Sequence, residues 1–263
     1  MLRYLSIMTV LFVLSPGYAP VEKPKPTIFL IGDSTVKNGS GKGEGGLWGW
    51  GDYLYTQFDT SKITIRNYAL GGRSSRTFIS EGLWDDVLAK LRPGDYVLIQ
   101  FGHNDSSPVN DESRARGTLK GIGGETEDID NILTKKHETV HTYGWYIRKY
   151  ISDAKAKGVI SIVCSPVPRN IWGDGKVIRA SGDYAKWAKE SALAEKAYFT
   201  DLNEIIAGKY DTLGEKEVTS KFFLADHTHT NEAGAKINAQ AVAEGIKQLK
   251  GCKLKEFLSP PAP

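Results

Sequence analysis

Cysteine is scarce in this sequence of 263 residues: Cys164 and Cys252 are the only two. That excludes a disulfide-dense scaffold and a cysteine-rich zinc module. Long apolar runs are missing too. The run over residues 5–14 is broken by Ser6 and Thr9, whereas a membrane-crossing helix takes about 20 apolar residues. A dominant charge is also lacking, since 34 Lys and Arg against 31 Asp and Glu leave a formal charge of +3. So small an excess argues against a nucleic-acid partner, yet it does not repel a polyanion. There is no internal repeat and no low-complexity tract. What remains is ordinary for a packed protein, with 40 % hydrophobic and 25 % charged residues. Such values exclude a disordered or fibrous chain, and the length suits one large domain.

The first residues read as a targeting segment. Arg3 supplies the positive end, the apolar run follows, and Gly17-Tyr18-Ala19 offers small residues at cleavage-type spacing. A signal peptide is therefore expected over residues 1–19, and a proline- and lysine-bearing linker over 20–26. A catalytic domain is expected over 27–252 and a lysine-bearing tail over 253–263. The mature protein is expected to be secreted or periplasmic, with no membrane attachment after cleavage, because no cysteine follows the apolar run to carry a lipid. In that compartment a Cys164–Cys252 bridge is permitted. Cys164 also ends an apolar strand, where a buried free thiol fits equally well.

Short, continuous apolar runs mark strands buried on both faces. They occur at residues 27–31, 63–68, 96–101 and 159–164, with a weaker one at 197–200. Helical periodicity lies between them, over 50–58, 84–91, 143–157 and 184–195, and again over 233–249 before Gly251. This alternation predicts an α/β fold, a parallel sheet covered on both sides. Residues 102–141 stand apart: polar, glycine-bearing and without a clear period. Loops of that length are usually functional or disordered.

In a parallel sheet, ligands bind beyond the carboxyl ends of the strands, so the residues after each run carry the functional reading. They are Gly32-Asp33-Ser34-Thr35, Gly71-Gly72-Arg73-Ser74 and Gly102-His103-Asn104-Asp105; a late loop adds Asp226-His227-Thr228-His229. A serine hydroxyl needs a base to take its proton, and a histidine held by a carboxylate supplies one near neutral pH. Ser34 is the expected nucleophile, His229 the general base and acid, and Asp226 the group that orients the imidazole. The backbone N–H groups of Ser34 and Gly72 and the amide of Asn104 are the expected oxyanion donors. Each segment alone also suits turn or helix-capping chemistry; their order at successive strand ends favours catalysis.

These four segments, in this order, resemble the SGNH (GDSL-type) hydrolases, and within them the rhamnogalacturonan acetylesterases. The resemblance runs from residue 27 to about residue 249, and Gly72-Arg73-Ser74-Ser75-Arg76 together with the Gly-His-Asn-Asp form is similar to the pectin-side-chain subgroup. It implies a three-layer α/β/α sandwich with a central five-stranded parallel sheet of flavodoxin-like topology. It also implies metal-free serine esterase chemistry with no cofactor, and an acetylated pectic polysaccharide or oligosaccharide as partner. A monomer is expected. The long 102–141 segment exceeds the minimal pattern of the family. The esterase Gly-x-Ser-x-Gly elbow is missing, and this family does not need it.

A rival motif sits inside that segment. His137-Glu138-Thr139-Val140-His141 has the zinc-peptidase spacing, which on a helix sets two imidazoles on one face. The helical pattern begins only after it, with Thr142 as N-cap, and no third ligand stands at suitable spacing, so no metal is expected. An acetylesterase acting on another glycan, such as acetylated xylan or a small acetylated sugar, is the first alternative. A non-catalytic glycan-binding module is a further one, and the full set of catalytic residue types argues against it. Trp48, Arg73, His103 and His141 are the expected substrate contacts. Trp48 is the stacking candidate and Arg73 a fork for a uronate carboxylate. Trp50, Trp84 and Trp145 read as core, and Arg76 as an internal ion pair.

Overall fold

The computed structural model describes residues 24–38, 43–180 and 182–260. The signal peptide expected over 1–19 and the first part of the 20–26 linker lie outside the described residues. In chain order the strands are β1 (Thr27–Gly32), β2 (Thr64–Asn67), β3 (Tyr96–Gln100), β4 (Thr126–Asp130), β5 (His137–His141), β6 (Ile160–Cys164), β7 (Trp172–Gly173), β8 (Lys176–Val177) and β9 (Tyr198–Thr200). The α-helices are α1 (Ser75–Ser80), α2 (Leu83–Leu88), α3 (Tyr143–Ala156), α4 (Tyr184–Ala194), α5 (Leu202–Leu213), α6 (Glu215–Phe222) and α7 (Glu232–Gln248).

The five expected strand segments assemble one parallel sheet in the order β2-β1-β3-β6-β9, the edge strand β2 being only partly buried. Period-two alternation along each strand feeds two cores. Ile28, Leu30, Leu98 and Ile162 face one cluster with Ile206 of α5 and Val242 of α7. Phe29, Ile31, Val97, Ile99 and Val163 face another with Phe78, Trp84 and Ile147. Helices therefore cover both faces, giving three layers. Chain direction across the sheet reverses between β1 and β3, and such switch points open a crevice at the carboxyl ends.

The structure adds elements that the sequence reading did not place, helices α1, α5 and α6 and the β7–β8 hairpin, and three expected segments differ. The helix expected over 50–58 is two short 3-10 turns, Trp50–Asp52 and Leu54–Gln57. Trp50 is buried and its indole Nε1 donates to Gln100 Oε1 at 2.8 Å, while Gly51 donates its N–H to the Val36 carbonyl. Tertiary bonds thus override the local period. The segment over 102–141 carries an antiparallel hairpin, β4 paired with β5. Beyond Cys252 the chain packs on the domain: Leu254 is buried, and residue 258 bridges Phe58. Both cysteines are free and buried; burial pushes the Cys164 thiol up to about 12. Among the described residues no helix is long and apolar enough to cross a membrane.

Candidate active site

Ser34 lies in the tight turn that follows β1. Gly32 is required there because a Cβ would meet the Gln100 carbonyl at 2.5 Å and Val36 Cγ2 at 2.6 Å. Asp33 closes the turn: its Oδ1 accepts from the Thr35 N–H at 2.9 Å and the Thr35 hydroxyl at 2.8 Å. Turn chemistry and presentation of the serine therefore coexist in one segment.

The loop before α7 brings the histidine from the far end of the chain. Thr230 clamps it to Trp48, donating its hydroxyl to the Trp48 carbonyl at 3.2 Å and accepting the Trp48 N–H at 2.8 Å. Asn231 then caps α7 through the Gly234 N–H at 3.1 Å. The result is a continuous row: Ser34 Oγ is 2.8 Å from His229 Nε2, and His229 Nδ1 is 2.7 Å from Asp226 Oδ2. A carboxylate can only accept, so Nδ1 carries hydrogen and Nε2 of the neutral ring accepts from the serine hydroxyl. Partial burial raises the Asp226 carboxyl, but bonds from the His229 ring and from the His229 and Thr228 N–H groups outweigh it and bring it to about 2. Asp226 is thereby ionised wherever the imidazole is neutral.

Around Ser34, the N–H groups of Ser34 and Gly72 have no hydrogen-bond acceptor among the described residues. Gly72 sits at φ +80°, a left-handed conformation natural to glycine. Asn104, buried after β3, donates one amide hydrogen to the Arg73 carbonyl at 2.8 Å. That fixes its plane and leaves the second hydrogen to the cleft, which Ser34, Gly72, Asn104 and His229 all line.

The cleft holds about 960 Å³ and is lined by Arg73, Arg114, Arg116 and Arg169 against one carboxylate, Glu81. Arg73 is tied to Glu81 at 2.8 Å, whereas Arg114, Arg116 and Arg169 have no salt-bridge partner among the described residues. Burial and the charge of Arg114 push Arg116 below its ordinary value. An anion in the cleft relieves that repulsion. Arg114 and Arg116 escaped the sequence reading because they lie in the aperiodic segment, and Arg169 because it follows a strand end that carries no recognisable motif.

The structure takes two expected contacts, Trp48 and His141, off the cleft wall and keeps a third, His103, on it. Trp48 does not line the cleft; its ring packs edge-on against Tyr53 at 5.3 Å, under Gly43. His141 stacks on Trp145 with centroids 3.7 Å apart and is likewise absent from the cleft wall. His103 reaches the wall, but its nitrogens are engaged by Asp33 Oδ2 at 3.3 Å and the Val167 carbonyl at 3.0 Å, making it a strut. The zinc spacing falls on strand β5, where alternation sends Glu138 away from both histidines. Glu138 pairs with buried Arg76 at 2.8 Å, and His137 pairs with Asp130. No cluster of three metal-ligating side chains occurs among the described residues.

The sequence profile of the GDSL-like Lipase/Acylhydrolase family matches residues 30–237. The chain belongs to that family. This acylhydrolase is a carboxylic ester hydrolase, and its relatives agree in kind. It is 32 % identical over 220 residues to a rhamnogalacturonan acetylesterase of Emericella nidulans, covering 84 % of each chain. It is also 32 % identical to a probable rhamnogalacturonan acetylesterase, YesY, of Bacillus subtilis, covering 84 % of this chain and 93 % of that one. Among solved structures, the YxiM protein of Bacillus subtilis superposes with a TM-score of 0.67 at 26 % identity, over 86 % of this chain and 57 % of that one. An acetylxylan esterase of Geobacillus stearothermophilus, 20 % identical with a TM-score of 0.57, covers 84 % of this chain and 93 % of its own and shares the fold.

Proposed function

We propose that this acylhydrolase is an extracytoplasmic carbohydrate esterase that removes O-acetyl groups from galacturonosyl residues of rhamnogalacturonan. The observation that carries the reading is the Ser34–His229–Asp226 row opening into an arginine-lined cleft. Ser34 Oγ attacks the acetyl carbonyl carbon as His229 Nε2 takes its proton. The tetrahedral oxyanion is met by the Ser34 and Gly72 N–H groups and the free Asn104 amide hydrogen. Collapse breaks the C–O bond to the sugar, whose oxygen receives the proton from His229. Water then attacks the acetyl-serine with the same base, acetate leaves, and Ser34 regains its hydrogen. No other reactant is required. Arg114, Arg116 and Arg169 suit the carboxylates flanking the acetylated hydroxyl, a demand that a neutral xylan does not make. The names of the Emericella and Bacillus relatives support the same substrate class.

Acetate release from acetylated rhamnogalacturonan and acetylated xylan tests the reading. Wild type is expected to prefer the anionic polymer. Ser34→Ala is expected to lose roughly 10⁶-fold in turnover, as removal of a triad nucleophile does, with an unchanged unfolding midpoint. Appreciable turnover by that variant would defeat the covalent route, and preference for xylan would defeat the substrate assignment.

A further inference from the structure

Beside the catalytic cleft lies a second hollow of about 250 Å³, over the carboxyl ends of β3, β6 and β9. Its walls are mainly apolar, formed by Pro166, Val167, Pro168, Ile171, Ile178 and Tyr184. His103 and Arg169 line both hollows, so the two form one trough along the carboxyl edge of the sheet. The partition between them is built in: Arg169 Nη2 donates to the His103 carbonyl at 3.3 Å. The neighbouring Asn170 N–H donates to the His227 carbonyl, inside the loop that carries the triad, at 2.7 Å.

The charge character of the two halves differs. In the second hollow the rim arginine, Arg179, is neutralised by Glu204 at 3.2 Å and Asp211 at 2.8 Å. Asn203 is buried and fixes the floor, donating to the Pro166 carbonyl and accepting from the Ala180 N–H. Among the described residues no uncompensated cation faces this half except Arg169 at the partition, and one carboxylate, Asp183, also lines it. Above it, Ile171 and Ile178 are joined across the β7–β8 hairpin, with the Ile178 N–H donating to the Ile171 carbonyl at 2.9 Å. Their side chains stay 40 % and 55 % exposed. Two adjacent branched aliphatic side chains held in water at the edge of a rigid hollow suit an apolar contact with a ligand.

We propose that this hollow is a subsite for the 6-deoxy sugar next to the acetylated uronosyl residue, with its C6 methyl group against Ile171 and Ile178. The inference rests on the rhamnogalacturonan reading above, in which anionic uronosyl residues alternate with rhamnosyl residues bearing that methyl group. The alternation along the polymer then matches the trough: arginines for the carboxylate, branched aliphatics for the methyl, and Arg169 between them.

The test is the double variant Ile171→Ser/Ile178→Ser, compared with wild type on three acetyl esters: rhamnogalacturonan oligosaccharides, galacturonan oligosaccharides lacking the deoxy sugar, and p-nitrophenyl acetate. The readout is kcat/KM on each oligosaccharide divided by kcat/KM on p-nitrophenyl acetate, so any loss of folded enzyme cancels. The ratio for rhamnogalacturonan is expected to fall about tenfold, the scale of a lost methyl-sized contact, while the galacturonan ratio holds. Unchanged ratios overturn the subsite while leaving the esterase reading intact. An equal fall on both oligosaccharides overturns its assignment to the deoxy sugar. Wild type that releases no acetate from rhamnogalacturonan, yet shows Ser34-dependent cleavage of p-nitrophenyl acetate, overturns the substrate reading and the subsite's occupant with it.

Discussion

Asp226 accepts three hydrogen bonds: the Thr228 and His229 N–H groups on Oδ1, and the imidazole on Oδ2. One oxygen therefore shapes the loop and the other orients the ring. Asp226→Asn keeps an oxygen for the loop but offers the ring an amide, which favours the wrong tautomer. The expected outcome is a fall of roughly 10⁴-fold in kcat with little change in KM, checked by steady-state kinetics on a small acetyl ester. With its folded value near 2 and an ordinary value of 3.8, this carboxylate contributes stability above pH 3.8 that fades as pH falls through about 2. It adds no acid limb to the rate above that point. At this scale much of the site was legible, because serine, histidine, aspartate and asparagine stand in short segments whose chemistry is specific. The substrate contacts were not. Trp48 and His141 are turned from the cleft by aromatic packing on Tyr53 and Trp145, near in sequence but with no pattern that announces it, whereas His103, on the wall, is engaged by Asp33, distant in sequence.

Strands buried on both faces announced themselves as unbroken apolar runs, whereas the β4–β5 hairpin did not. Its strands, Thr126–Asp130 and His137–His141, each bury a single residue, Ile129 and Val140. With so little burial no apolar period arises, and the hairpin is held largely by polar bonds. Arg76 supplies the main ones. It is 1 % exposed, grips Glu138 with two nitrogens and donates to the carbonyls of Val109, Ala115 and Gly117. The segment that presents Arg114 and Arg116 to the cleft thus hangs on one guanidinium from α1. Arg76→Met leaves Glu138 half-buried without its partner and three carbonyls without a donor. A loss of about 3–5 kcal/mol is expected, read as the shift in denaturant unfolding free energy. KM for acetylated rhamnogalacturonan should rise at the same time as Arg114 and Arg116 lose their placement. A near-neutral substitution would show that the hairpin holds itself.

Across the whole molecule, the α/β layering and the site at the strand-order reversal follow from the run-helix-run alternation, so both were legible. What no local pattern reveals is the interior charge. Asp105, next to Asn104, is fully buried after β3; its Oδ1 accepts the Ser75 N–H at 3.0 Å and the Ser75 hydroxyl, and its Oδ2 has no partner among the described residues. Burial lifts its carboxyl to about 7, with the Asp33 charge adding to the lift and the Ser75 bonds opposing it. In the unfolded chain the same group ionises near 3.8. Between those values the folded state holds a proton that the unfolded state releases, so this group's contribution is complete below pH 3.8 and is lost as pH rises through about 7. Asp105→Asn removes the titration while keeping an oxygen for Ser75. Denaturant unfolding of both proteins from pH 4 to pH 8 checks this. Wild type should lose stability relative to the variant up to about pH 7 and run parallel above it, because beyond that point Asp105 is ionised in both states. A constant gap across the range would mean that Asp105 is charged in the folded protein throughout, tying α1 to the Asn104 loop as a carboxylate.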